Sequence, residues 1–257
     1  MSTTIDREAL VAGLKRLKLR RIRELLEAEP DRLAAYTDPL QLVADLVNEE
    51  VKAREATQHE KRLRAARFPQ HKTLASFDFT AQPSVDEATV RALADLDFVA
   101  RHENVVLLGP PGTGKTHLAL ALGHEAIGAG LNVRFTTAGA LVDHLYASLA
   151  DGTFKRELAR YGQFDLLIID ELGYLSLDKT ASNHFFQVIN QAYERQSVVL
   201  TSNRPFQEWA GLFHDPVTVS AILDRLLHHA HILNLKGQSY RLREQLQRGA
   251  KEVTSLA

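Results

Sequence analysis

The stretch Gly109-Pro110-Pro111-Gly112-Thr113-Gly114-Lys115-Thr116 follows the apolar run NVVLL and leads into KTHLALALGHEAI. Glycines at these spacings let backbone N–H groups converge on phosphate oxygens, the lysine reaches the outer phosphates, and the final hydroxyl is placed to bind magnesium. A strand before the loop and a helix after it complete the site, because the positive end of the helix dipole then faces the anion. Gly109, Pro110, Pro111, Gly112, Thr113, Gly114, Lys115, Thr116 and the adjoining His117 are therefore the candidate nucleotide-binding residues. A plain tight turn would leave the lysine and threonine in this context to chance.

On both sides of the loop, short apolar runs alternate with helical segments. NVVLL, NVRFTT, DLLIID, SVVLTS and HILNL read as strands, with helices through KTHLALALGHEAI and NHFFQVINQAYER between them. That alternation predicts an α/β core whose parallel sheet is covered by helices on both faces.

DLLIID ends in Asp170, with Glu171 next, at the carboxyl end of the sheet where such folds bind ligands. Asp170 is expected to hold magnesium with Thr116, directly or through water. Glu171, of opposite parity on the strand, is expected to polarise a water aimed at the terminal phosphate. Alone, two acids after a strand would also suit a solvated turn or a helix cap. Asn203, just past SVVLTS, could orient that water or sense the outer phosphate, or simply form a turn before proline. Arg225 lies beside Asp224 in VTVSAILDRLLHHA; it either forms an ordinary ion pair or reaches a neighbouring subunit's nucleotide. His228, His229 and His231 would need a persisting helix to share a face, and no carboxylate adjoins them in sequence, so packing or surface roles are expected.

The texture changes near FPQHKTLASFDFTAQPS, which places a boundary around residue 70: a helical N-terminal domain, 1–70, and the nucleotide-binding domain, 71–257. Leu10, Leu14 and Leu17 predict a helix ending at AEPD, and a longer one restarts at DPLQLVADLVNEE. Lysine plus arginine (31) nearly balances aspartate plus glutamate (32), but the distribution is uneven. Lys15, Arg16, Lys18, Arg20, Arg21 and Arg23 form one acid-free run, and Lys61, Arg62, Arg64, Arg67 and Lys72 a second stretch. Such runs suit sequence-independent phosphate contacts, a solvated face or an acidic partner equally well. The chain has no cysteine, which excludes disulfides, thiolate metal sites and a cysteine nucleophile and fits a reducing cytoplasm. No signal-like N-terminus is present, and no apolar run approaches the roughly 20 residues that cross a bilayer, so a cytoplasmic protein with no membrane partner is expected.

GPPGTGKT, LLIIDELGYL, VVLTSNRP with Trp209 after it, AILDRLLHHA and, before the core, RFPQHKTLASFDF together resemble the IstB-type helper ATPases of bacterial transposable elements. These are similar to DnaC-type helicase loaders within the AAA+ superfamily. The resemblance spans roughly residues 5 to 250. It implies that Lys115 and Thr116 bind ATP and Mg2+, that Asp170 and Glu171 form the metal and water-activating pair, that Asn203 is a sensor, and that Arg225 works in trans within a homo-oligomer. It further implies duplex DNA and a transposase as partners, with the N-terminal module on the transposase and DNA contacts from core loops such as DGTFKRELARYGQ, including Lys155 and Arg156. Only about 54 residues follow Asn203, so a reduced helical lid is expected, which leaves Arg241 or Arg243, in SYRLR, as the candidate second sensor. A helicase loader, a small-molecule P-loop kinase and a nucleotide-switched binder with negligible turnover are the competing functions.

Overall fold

The computed structural model describes residues 6–29, 31, 33, 35–174, 176–240 and 242, and the chain divides into two compact units, residues 1–61 and 62–257. No helix among the described residues is long and apolar enough to cross a membrane.

In the first unit, α1 (Arg7–Arg16) starts where the Asp6 carboxylate accepts from the amides of Glu8 and Ala9. The leucine spacing predicts a helix continuing to AEPD, but the chain breaks at Lys18, whose φ is 57°. Lys18 N–H donates to Lys15 C=O and Leu19 N–H to Leu14 C=O, the paired bonds of a left-handed helix stop. A separate helix, α2 (Arg20–Ala28), follows. Of the predicted apolar face only Leu14 is buried; Leu10 and Leu17 are exposed.

Helix α2 has no side-chain cap of its own. Glu50, on the long helix α3 (Pro39–Ala66), supplies one, accepting from Arg21 N at 2.7 Å and Ile22 N at 3.2 Å. Burial pushes the Glu50 carboxyl up, but the bonds from Arg54, Ile22 and Arg21 outweigh it and hold the group below the usual glutamate range. The basic run is therefore divided between two helices, and part of it is neutralised internally: Arg20 pairs with Glu24 at 2.7 Å and Arg21 with Glu49 at 3.5 Å.

The second unit holds a five-stranded sheet in the order β2-β3-β4-β1-β5, from β1 (Asn104–Leu108), β2 (Val133–Thr137), β3 (Leu166–Leu172), β4 (Ser197–Ser202) and β5 (Ala230–Asn234), all parallel. These are the five apolar runs read from the sequence, and β1 and β4 are buried at every position because helices cover both faces. Period-two alternation divides their side chains. Val105, Leu107, Ile168 and Val199 pack with α4 (Glu87–Ala94), α5 (Asp97–Ala100) and α6 (Lys115–Gly128). Val106, Ile169, Val198 and Leu200 pack with α7 (Ala138–Ala150), α9 (Lys179–Ala192) and α10 (Pro216–Leu227). Helix α8 (Phe154–Tyr161) occupies most of a stretch expected as a loop, DGTFKRELARYGQ, so Lys155 and Arg156 lie on a helix, and Arg156 is tied to Glu157 at 3.1 Å.

Candidate nucleotide-binding site

Strand β1 ends at Leu108 and α6 begins at Lys115, so the phosphate loop spans the carboxyl edge of the sheet next to β4. Gly109 has φ 148°, and a Cβ there would collide with the Leu235 carbonyl that follows β5, so only glycine fits. Thr113, itself buried, donates to Pro110 C=O, and its carbonyl accepts from Gln82 Nε2 at 3.0 Å. Lys115 Nζ donates to the carbonyls of Gly109 (2.7 Å) and Pro110 (2.8 Å) from a position only 8% exposed. The loop thus carries a nearly enclosed ammonium whose donors can exchange loop carbonyls for phosphate oxygens.

A cavity of about 470 Å³ opens over the loop, and Asp170, Glu171, Thr201 and Asn203 line its far side. Its geometry rests on an irregularity between β3 and β4. Ile169 pairs with Leu200 and Leu172 with Ser202, so Asp170 and Glu171 together oppose the single residue Thr201, a β-bulge. Thr201 serves both acids: its hydroxyl donates to Asp170 Oδ1 and accepts from the Glu171 amide at 3.0 Å. Glu171 is forced to φ 63°, a left-handed conformation that costs a non-glycine residue roughly 1–2 kcal/mol. Asp170 stays in register with Thr137 on β2 and is 3% exposed, whereas Glu171, the next residue, is open to solvent.

Thr116 Oγ1 lies 3.0 Å from both Asp170 oxygens. A hydroxyl and a carboxylate joined in this way are hard oxygen donors of the kind that would hold Mg2+. Asn203 Oδ1 is buried without a hydrogen-bond partner, an orphaned acceptor at the edge of the same cavity. It sits there because Gly173, at φ 117°, has no Cβ to displace it. Lys115, Thr116, Asp170, Glu171 and Asn203 are thus brought together.

His117 is placed differently. Its Nε2 bonds the Thr73 carbonyl at 2.9 Å, holding the segment before the core against α6, and burial pushes its imidazole below the ordinary histidine range. That segment edges a second cavity of about 250 Å³ beside the loop, with Phe77, Gln82, Thr113, Gly114 and Tyr240 in its wall. An aromatic face and an amide next to the phosphate loop suit a planar base. Sequence reasoning missed Thr201, Phe77 and Gln82; the aromatic pair in SFDF was the one available signal for the second cavity.

Arg225 stands apart from its own chain's loop. Helix α10 runs from the carboxyl end of β4 back to the amino end of β5, so Arg225, two residues before Leu227, lies at the opposite edge of the sheet. The ion pair with Asp224 is not formed, and no carboxylate partners Arg225 among the described residues. Its guanidinium bonds Asn190 Oδ1 (2.9 Å) and Ala221 C=O (2.9 Å) and lies over the Phe186 ring. The histidines correct another expectation, since tertiary structure does supply carboxylates: α10 ends at Leu227, Glu194 lies beside His228 and His229, and His231 on β5 bonds Glu103 at 2.8 Å. Arg241 and Arg243 lie outside the described residues.

Residues 12–248 match the family model described as IstB-like ATP binding protein. The chain is 48% identical over 190 residues to an insertion sequence IS21 ATP-binding protein of Pseudomonas aeruginosa, covering 74% of this chain and 72% of that one. It is 46% identical over 200 residues to the corresponding IS5376 protein of Geobacillus stearothermophilus, covering 78% and 80%. Among solved structures, AMPPCP-bound DnaA from Aquifex aeolicus is similar with a TM-score of 0.53 at 25% identity, over 68% of this chain and 55% of that chain. DnaI is similar with a TM-score of 0.55 at 21% identity, over 64% and 91%. The core has the AAA+ fold of these proteins.

Proposed function

The chain belongs to the family of IstB-like ATP-binding proteins of insertion sequences, and from that premise we propose that it is a magnesium-dependent ATPase that assembles on duplex DNA and helps a transposase of the same element use its target. The observation that carries the hydrolytic part is the bulge at Asp170 and Glu171. A buried carboxylate anchored to Thr116 and Thr201, followed by an exposed carboxylate held in a strained backbone, separates metal binding from water activation. Asn203, with its unpartnered oxygen, is the group that orients the attacking water or senses the outer phosphate.

Arg225 supports the oligomeric part. A guanidinium without a carboxylate, at the sheet edge opposite its own phosphate loop, acts on nucleotide only in a neighbouring subunit. ATP then joins subunits on DNA and hydrolysis loosens them. DNA is held through its backbone with little regard to sequence. Basic residues of the N-terminal module that pair with no acid among the described residues, such as Lys15, Arg16 and Lys18, are available to DNA or to the transposase.

Two experiments test this reading. Glu171→Gln is expected to bind ATP normally, lower DNA-stimulated phosphate release by about a hundredfold or more, and leave the protein assembled on duplex DNA. Normal turnover in that variant would remove Glu171 from the chemistry. The trans role is tested by mixing Lys115→Ala, which keeps Arg225 but loses nucleotide, with Arg225→Ala, which does the reverse. Each alone is expected to be inactive, and the mixture partly active; a mixture as dead as its parts rules out a shared site.

A further inference from the structure

Outside the nucleotide site, a cavity of about 200 Å³ is lined by Arg67, Arg134, Thr136, His144, Arg160 and Tyr161. Arg134 and Thr136 project from one face of β2, which ends the sheet. Arg160 and Tyr161 close α8, His144 comes from α7, and Arg67 follows α3 at φ 57°. Three arginines from three separate elements thus border one small space, and no carboxylate is among the residues that line it.

One acid stands beside the cavity, Glu157: its Oε1 accepts from Arg156, and its Oε2 is buried within ion-pair range of Arg160 but makes no hydrogen bond. Glu157, one turn earlier on α8, lies 3.1 Å from Arg156, 3.5 Å from His144 Nε2 and 3.6 Å from Arg160. Arg134 Nη1 donates to Ala65 C=O at 3.1 Å, which holds the side chain but leaves its charge uncompensated. Arg67 has neither a hydrogen bond nor an ion pair to its side chain among the described residues. Burial, and then the neighbouring charge of Arg67, push the Arg134 guanidinium below the ordinary arginine value. An anion in the cavity would relieve that repulsion. Tyr161 Oη, 3.0 Å from His144 Nδ1, adds a neutral polar group to the wall.

We propose that Arg67, Arg134 and Arg160 form a second phosphate-binding site, distinct from the nucleotide loop, which grips a backbone phosphate of duplex DNA. The DNA source rests on the function proposed above; the phosphate chemistry does not. Guanidiniums from three elements surround a tetrahedral group, whereas a planar carboxylate is covered by one or two forks. Arg67 and Arg160 are exposed, so a phosphate that belongs to a long polymer can enter.

The test uses full-length protein and the double variant Arg67→Ala/Arg160→Ala, which touches no residue of the nucleotide site. Its duplex affinity, read by fluorescence anisotropy across a salt series, is expected to fall roughly tenfold. The slope of log affinity against log salt should shrink by about 0.9 for each phosphate that is no longer neutralised. ATP affinity should be unchanged, and the Arg67→Lys/Arg160→Lys variant should recover part of the loss. In a second arm, inorganic phosphate is titrated into Lys115→Ala protein with and without the double substitution. Phosphate binding that disappears with the arginines while the DNA slope holds would keep the site and make its occupant free phosphate. If the starting protein binds no duplex at all, the DNA reading falls and the phosphate arm alone decides the cavity. The proposal is overturned if neither readout responds to the arginines, or if only binding to polyglutamate responds, which would assign the cavity to an acidic protein partner.

Discussion

The two ends of the same five strands are built to opposite standards. At their amino ends Asn104 spends its side chain on structure, donating to Leu226 C=O and accepting from Val198 N–H, both at 2.9 Å, while Ser197 Oγ donates to Phe98 C=O. Gln196 Nε2 is the buried exception there. Left-handed residues lie at both ends, His102 and Glu194 just before β1 and β4 and Glu171 within β3; what sets the carboxyl ends apart is that the left-handed Glu171 and the orphaned oxygen of Asn203 line one cavity over the phosphate loop. The hydrophobic layers are continuous from one end to the other, so burial does not explain the difference. A polar group that bonds its own fold is unavailable to a ligand, and strain persists only where the surroundings enforce it. The amino ends commit their polar side chains to the fold, and the carboxyl ends leave theirs facing the candidate site.

The largest effect that could break this contrast lies at the amino end. Asn104→Ala strands a buried N–H and a buried C=O and should cost roughly 2 to 4 kcal/mol of stability, measured by denaturant unfolding, with ATP affinity essentially unchanged. A large loss of ATP affinity in a folded variant would mean that the two ends are coupled. Thr201→Val, at the other end, should reduce DNA-stimulated turnover by about a hundredfold by releasing Asp170 and the Glu171 amide together; undiminished turnover would show that the bulge needs no hydroxyl. Glu171→Gly should move the two properties in opposite directions, raising stability by about 1 kcal/mol through relief of the left-handed backbone while ending hydrolysis. Loss of stability in that variant would show that no strain is stored there.

The smallest effect is a dependence on pH. Burial is the largest influence on both His117 and His184 and holds each imidazole below the ordinary histidine range. The unfolded chain therefore takes up protons first, and the stability present above about pH 6.5 is lost as the pH falls through the lowered folded values. Unfolding midpoints measured from pH 7.5 to 5.5 should decline, and His117→Gln should flatten part of the decline. An unaltered slope in that variant would remove His117 as a contributor.

Much of the nucleotide site was legible because its parts are local. Gly109 to Thr116 form one loop whose backbone is set by its own glycines, and a buried parallel strand announces itself as an uninterrupted apolar run. All five strands and the residues at their tips could be read in that way. Elsewhere the linear pattern misled. The helix predicted to continue through Leu17 stops at Lys18, because a left-handed turn closed by two backbone bonds ended it and Glu50, far along the chain, could cap the next helix. The histidines had no carboxylate beside them in sequence, yet β5 carries His231 to Glu103.

By itself, then, the sequence determined the phosphate loop, the parallel sheet and the identity of the two acids, since each depends on residues within a few positions of one another. The tertiary structure decided how those acids are placed. One extra residue in β3 set against Thr201 strains Glu171 and joins it and the buried Asp170 to a single hydroxyl on another strand. The same folding brought Arg67, Arg134 and Arg160 to one cavity and left Arg225 at the far edge of the sheet from its own loop. Such relations follow from strand register and from which elements share a face, and these are properties of packing between segments distant in the chain.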